Sequence, residues 1–88
     1  MNGGDKMQFD YRIVSKTIRT LRRKRGLSQE VVSGLAGISR THLTMIENGS
    51  KQPNLETVWK ICQALNITMS DLFKIIETET SHTSDIDC

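Results

Sequence analysis

The sequence predicts an all-α fold, five short helices packed around one modest core. Three observations carry that expectation. No stretch alternates apolar and polar residues over a length useful to a strand. Apolar residues recur instead at spacings of three and four in successive segments, the period of a helix with one buried face. The stretch from Ser28 to Gly49, SQEVVSGLAGISRTHLTMIENG, divides into two short helical patterns around a glycine, the spacing of a helix-turn-helix. The 88 residues suffice for one small domain.

The elements follow in chain order. Residues 1–9 are expected to be a flexible N-terminal segment, with a Gly-Gly pair and little to bury; Met7 is a second candidate for the natural start. Asp10 is the expected cap of a first helix that runs to Lys24 or Arg25 and ends at Gly26. Val14, Ile18 and Leu21 form its apolar stripe, while Arg12, Lys16, Arg19, Arg23 and Lys24 make the opposite face strongly basic. Ser28 caps the second helix, with Gln29 and Glu30 in a first turn that favours acceptors and negative charge. Val32, Leu35 and Ala36 fall on its inner face, and Gly37 stands where a helix end often needs a left-handed residue.

Ser39 caps the third helix, Leu43 and Ile46 are its buried side, and Asn48-Gly49 ends it. Its outward face carries Arg40, Thr41, His42, Thr44 and Met45, side chains suited to touching a polar surface rather than filling a core. Pro53 breaks the helical pattern by disfavouring helix at Gln52. Asn54 then caps a fourth helix whose inner face is Leu55, Val58, Ile61, Cys62 and Leu65, with Trp59 beside it. Asn66 is the expected C-cap, and Thr68 or Ser70 starts a short fifth helix containing Leu72, Phe73, Ile75 and Ile76. These elements bound a domain over residues 10–76. Residues 77–88, ETETSHTSDIDC, show no periodicity and are expected to be a disordered acidic tail.

Charge is unevenly spread. The formal net charge is +2, but from Asp10 to Ile76 eleven Lys or Arg stand against five Asp or Glu, a surplus of six. The segment from Glu77 holds four acids and no Lys or Arg. A basic body beside a separate acidic tail points to a polyanionic partner.

Other classes are disfavoured. No run approaches the roughly 18 apolar residues of a membrane span, and the first residues lack the apolar core of a signal peptide. Cys62 lies in an apolar helical pattern and Cys88 in the polar tail, so neither suggests a disulfide framework, and a cytoplasmic location is the default. His42, His82, Cys62 and Cys88 offer no zinc-ligand spacing. No Gly-rich phosphate loop, nucleophile elbow or paired-carboxylate arrangement is present. The expectation is therefore a non-enzyme with no metal, no cofactor, no membrane partner and no evident small-molecule ligand.

The segment LRRKRGLSQEVVSGLAGISRTHLTMIENGSKQPNLETVWKICQALNITMSDLF resembles the phage-repressor-like helix-turn-helix family, the Cro/CI-type or XRE regulators. The similarity runs from Ile18 to Phe73 through the LSQ opening, the AGISR turn, the IENG end of the third helix, the PNLET start of the fourth and the closing DLF. It implies a five-helix lambda-repressor-like DNA-binding domain that binds DNA as a dimer and regulates transcription. Val31, Ser33 and Gly34 depart from the commoner pattern, and Gly34 inside a helix costs about 1 kcal/mol relative to Ala.

The resemblance also implies roles at matching positions. Gln29 looks like the family glutamine that bonds a phosphate and braces the recognition helix. Arg40 and Thr41 match positions that meet base edges, as does Met45 one turn later; Thr44 and His42 sit beside them. Arg22 and Glu47 resemble a structural ion pair joining the first helix to the end of the third. Ser39, Asn48 and Lys51 join Gln29 as candidate phosphate contacts, which set register without reading sequence. One recognition helix reads few base pairs, so a homodimer on double-stranded DNA is expected. Trp59, Leu72, Phe73, Ile75 and Ile76 are the candidate dimer surface, against the alternative that Leu72, Phe73 and Ile76 complete the monomer core. A second functional class, a protein-interaction module such as an antitoxin or anti-repressor partner, predicts an apolar third-helix face instead of Arg40, Thr41, His42 and Thr44. RNA binding is disfavoured because Phe9, Tyr11, Trp59 and Phe73 form no clear stacking platform.

Overall fold

The computed structural model describes residues 9–86, and side-chain surroundings through Thr78. The expected flexibility of residues 1–8 lies outside the described residues. Five helices follow in order: α1 (Tyr11–Lys24), α2 (Gln29–Ala36), α3 (Arg40–Glu47), α4 (Leu55–Leu65) and α5 (Met69–Ile86). The first four start where the sequence places a side-chain acceptor. Asp10, Ser28, Ser39 and Asn54 each accept a bond from a backbone N–H of the first turn, satisfying a donor that has no partner inside the helix. Thr68 rather than Ser70 does this for α5, its Oγ1 accepting from Asp71 N at 3.0 Å.

Termination is equally local. Gly37 ends α2 at φ 72°, in the left-handed region, and lets Ile38 N reach back to Ser33 O at 3.0 Å. That compact exit turns the chain into α3 within three residues. Asn66 ends α4 in the same conformation, φ 59°, which asparagine tolerates better than most residues.

The core gathers from every helix: Ile18 of α1, Val32 of α2, Leu43 and Ile46 of α3, Ile61 and Leu65 of α4, and Leu72 of α5 are fully buried. The α2 helix packs against α3 and α4, and α1 lies across α3, α4 and α5. The third helix is thus held along its inner side by α1 and α2 while its outer side stays open.

Several sequence expectations are corrected. Leu35 and Leu55, expected on inner faces, are exposed, whereas Ser33 and Thr57 are buried in their helices. Helical periodicity fixes an apolar arc only to within a flank, and the short helices α2 and α4 bury the arc that includes the small polar residue. Leu72 and Ile76 are core residues, so they present no surface to a partner. The disordered segment expected from Glu77 is replaced by helix: α5 continues to Ile86, with no Gly or Pro along its length and Thr78 Oγ1 bonded to Lys74 O at 2.8 Å. Loss of apolar periodicity reports loss of burial, not loss of helix.

Candidate nucleic-acid interface

Ser39 Oγ accepts from His42 N at 2.9 Å and fixes where α3 begins. From that start, the 3.6-residue period sends Leu43, Ile46 and Glu47 inward and leaves Arg40, Thr41 and Met45 exposed. His42 and Thr44 occupy the two flanks and are half-buried. Of the five residues expected to face outward, three therefore form the open crest and two its edges.

A chain of polar contacts holds this helix in place. Arg22 of α1 meets Glu47 at the end of α3 with two bonds, Nε to Oε2 at 2.7 Å and Nη2 to Oε1 at 2.9 Å. Its remaining Nη1 donates to Leu27 O at 2.8 Å in the α1–α2 connection. Both side chains are nearly sealed, 11% and 2% exposed, so the ion pair expected from the sequence is a buried one. The Glu47 hydrogen bonds, and secondarily its charge, raise the Arg22 guanidinium above its ordinary range.

Gln29, on the first turn of α2, extends the chain. Its Nε2 donates to Glu47 Oε1 at 3.0 Å, and its Oε1 accepts from Thr44 Oγ1 at 2.9 Å. The amide orientation follows from the chemistry, because a carboxylate only accepts and so must face the NH2 group. Thr44 has one proton; with Gln29 turned this way the proton goes to Gln29, although Arg40 O also lies 3.0 Å away. Thr44 thus spends its hydroxyl proton on a hydrogen bond within the protein. Gln29 braces α3, and both ends of its side chain are engaged within the domain.

The segment after α3 folds back on the helix end. Ser50 N and Lys51 N both reach Met45 O, at 3.0 and 3.1 Å, and Asn48 Oδ1 accepts from Ser50 N at 2.9 Å. Lys51 and Ser39 are exposed at opposite ends of α3. The Tyr11 hydroxyl donates to Gly49 O at 3.0 Å and ties the start of α1 to this segment. Sequence reasoning missed Tyr11; only its position beside the Asp10 cap marked it. Arg12, Lys16, Arg19 and Arg23 line one exposed side of α1, the basic face read from the sequence.

Among the described residues, no group of three or more His, Cys, Asp or Glu side chains is placed to hold a metal, and no helix is long and apolar enough to cross a membrane. The geometry is that of a polar, cation-flanked helix mounted on a rigid support.

Comparison with known proteins agrees with that geometry. The helix-turn-helix family model matches residues 18–72. The HTH-type transcriptional regulator YqaF of Bacillus subtilis is 33% identical over 72 residues, covering 82% of this chain and 95% of its own. The control protein C.MunI of a Mycoplasma species is 37% identical over 68 residues, covering 77% and 92%. Among solved structures, the restriction-modification controller protein C.AhdI from Aeromonas hydrophila superposes with a TM-score of 0.68 at 32% identity, covering 72% of this chain and 96% of that one. The controller protein C.Esp1396I, solved as a tetramer on its natural 35 base-pair operator, shares the fold with a TM-score of 0.78 at 23% identity, covering 84% and 97%. With the family matched over most of its length and its recognition helix mounted as described, this chain belongs to the XRE-type helix-turn-helix family of DNA-binding transcriptional regulators.

Proposed function

We propose that this protein is a cytoplasmic transcriptional regulator that binds operator DNA as a homodimer, each α3 entering the major groove of one half-site. The observation that carries the reading is the exposed crest of Arg40, Thr41 and Met45 on a helix whose other side is fixed by buried contacts. A rigid mount matters because base readout needs side chains held to within a fraction of an ångström.

In this reading Arg40 bonds both acceptors of a guanine, worth about 1–3 kcal/mol of discrimination. Thr41 and Met45 offer apolar contact to a thymine methyl. His42 flanks the crest, and Ser39, Asn48 and Lys51 meet phosphates on either side. Gln29 and Thr44 act through α3, setting its pose. The polar crest favours duplex DNA over a protein partner on this face, and a controller protein of the same fold has been solved on an operator.

The dimer surface is redrawn from the sequence expectation. Leu55 and Trp59, one turn apart on α4, are 68% and 55% exposed. Leu55 shares an apolar cleft with Phe9, Val58 and Phe73. Trp59, Leu55 and Phe73 form the proposed contact with a second copy, and Ile75 projects from the other side of α5. Leu55→Glu combined with Trp59→Glu alters only exposed positions and should yield folded monomers in sedimentation.

The test of the whole reading is selection of bound fragments from random DNA, followed by Arg40→Ala. The variant should lose affinity for the selected duplex by about tenfold or more while keeping its helicity and its affinity for unrelated duplexes. Equal loss on every duplex would reassign Arg40 to the phosphates, and no enrichment of any sequence would remove operator binding.

A further inference from the structure

Tyr11, the first residue of α1, touches both surfaces of the proposed assembly. Its ring lines the apolar cleft with Phe9, Val14, Leu55 and Phe73, a space of about 120 Å³. That cleft meets solvent at Phe9 and Leu55, 66% and 68% exposed. The Tyr11 hydroxyl lies on the other side and donates to Gly49 O at 3.0 Å, across 38 residues of chain. An aromatic ring with a polar tip suits such a place, where one end is apolar and the other is hydrogen-bonded.

The backbone is fixed at both ends of this link. Asp10 caps α1 by accepting from Arg12 N at 3.0 Å, and the Arg12 guanidinium closes on the same carboxylate at 2.9 Å. Tyr11 is thereby pinned at its backbone, and its freedom lies in its side-chain torsions. Gly49 stands at φ 82° and donates to Ile46 O at 3.2 Å, while Ser50 N and Lys51 N close on Met45 O. The Gly49 carbonyl therefore moves with the end of α3 and with the segment that carries Asn48 and Lys51. A ring held still in the cleft holds that segment still; a ring loose in an open cleft holds it part of the time.

We propose that Tyr11 is a positioning residue that links the dimer contact to the recognition helix. A second copy covering the apolar cleft fixes the Tyr11 ring, and the ring's hydroxyl fixes the exit of α3 against the duplex. The occupant is a second copy because the cleft is continuous with the exposed Leu55 and Trp59 of α4, and a twofold contact presents the same surface from both sides. The lone chain already makes the bond to Gly49, so the partner selects this state rather than creating it. The inference rests on the homodimer and DNA-binding reading and adds a coupling to it. Dimer formation tightens each copy's hold on its own half-site, and by reciprocity half-site binding tightens the dimer.

The experiment places Tyr11→Phe, which keeps the ring and removes the hydroxyl, in two backgrounds. One is the wild-type chain; the other is Trp59→Glu, an exposed change outside the cleft lining. Sedimentation reads the oligomer, and affinity is measured on a duplex carrying one selected half-site. In the wild-type background Tyr11→Phe should leave the dimer intact and weaken half-site binding about fivefold, the worth of one hydrogen bond. In the Trp59→Glu monomer the same change should cost less than about twofold, because an uncovered ring holds Gly49 only part of the time. A hydroxyl that only stabilised the fold would lower the unfolding midpoint and leave both affinities alone, and that result overturns the proposal. An equal loss in both backgrounds overturns it as well, since the bond would then ignore the cleft. A second measurement uses no DNA. On dilution of the wild-type chain through dimer dissociation, the NMR shift of the Gly49 carbonyl carbon should move toward its value in Tyr11→Phe; a shift constant on dilution overturns the link. A wild-type chain that sediments as a monomer at every concentration removes the homodimer reading and the link together, and one that binds no duplex at low salt removes the DNA reading.

Discussion

The Thr44 hydroxyl donates to the Gln29 side-chain carbonyl across 2.9 Å, joining the middle of α3 to the first turn of α2. A side chain on the flank of the recognition helix is thereby committed to holding that helix. Thr44→Val keeps the shape and removes the proton, leaving the Gln29 carbonyl without its donor. We expect a loss of about 1 kcal/mol in urea unfolding, together with weaker binding to all duplexes alike. Thr44→Ser, which retains the hydroxyl, should recover most of both. A change in sequence preference with unaltered stability would instead place Thr44 on a base.

Removal of either partner of the Arg22–Glu47 pair strands a charge in the interior. Glu47→Ala should cost about 3–5 kcal/mol, a large share of the roughly 5–15 kcal/mol that holds a domain folded. It also leaves the Gln29 NH2 without its acceptor. Arg22→Met with Glu47→Leu removes both charges and should be more stable than either single variant in the same denaturant series. The pair is indifferent to pH near neutrality from the arginine side. A cation raised by its partner loses that stabilisation only as pH climbs through its own pKa, here beyond the ordinary guanidinium value.

What was legible in the sequence was what is decided locally. The caps Asp10, Ser28, Ser39 and Asn54 and the turn at Gly37 depend on a few neighbouring atoms, so residue type and spacing reveal them. The Arg22–Glu47 pair, 25 residues apart, came only through resemblance, since no local signal joins them. Less legible was which flank of an apolar stripe a neighbour covers. Apolarity alone assigns Leu35 and Leu55 to the inside, yet the packing of α2 on α4 takes in Ser33 and Thr57 instead. Both are small, and Ser33 bonds its hydroxyl to Glu30 O within its own turn, so it needs no water. Leu72 and Ile76 show the converse limit: apolarity demands a partner surface without saying whether it belongs to the same chain.

Gly34 carries a cost with no visible return. It sits within α2 at an ordinary helical φ, and an added Cβ would meet no atom within 4 Å. Gly34→Ala should therefore stabilise the domain by about 0.5–1 kcal/mol, through reduced freedom of the unfolded chain and better helix propensity. The midpoint of thermal unfolding should rise by roughly 4–8 °C per kcal/mol for a domain of this size. A fall in the midpoint would mean that the glycine serves a strained backbone, against its observed φ.

Cys62 provides a probe of the core that depends on pH. It is 2% exposed on the inner face of α4, with its Sγ 3.8 Å from Met69 Sδ of α5. Burial raises its thiol pKa, because the thiolate loses hydration that nothing nearby replaces. A group raised in the folded state stabilises fully below its unfolded pKa and loses that contribution as pH rises through the folded one. Stability measured in a Cys88→Ser background should accordingly be flat from pH 6 to about pH 8, then decline above about pH 8.5. Adding Cys62→Ala should remove the thiol's share of that decline. In the same background a disulfide reagent at pH 8 should react only as fast as the domain opens, and at once in denaturant. Prompt reaction in the native state would show that the contact between α4 and α5 is open to solvent.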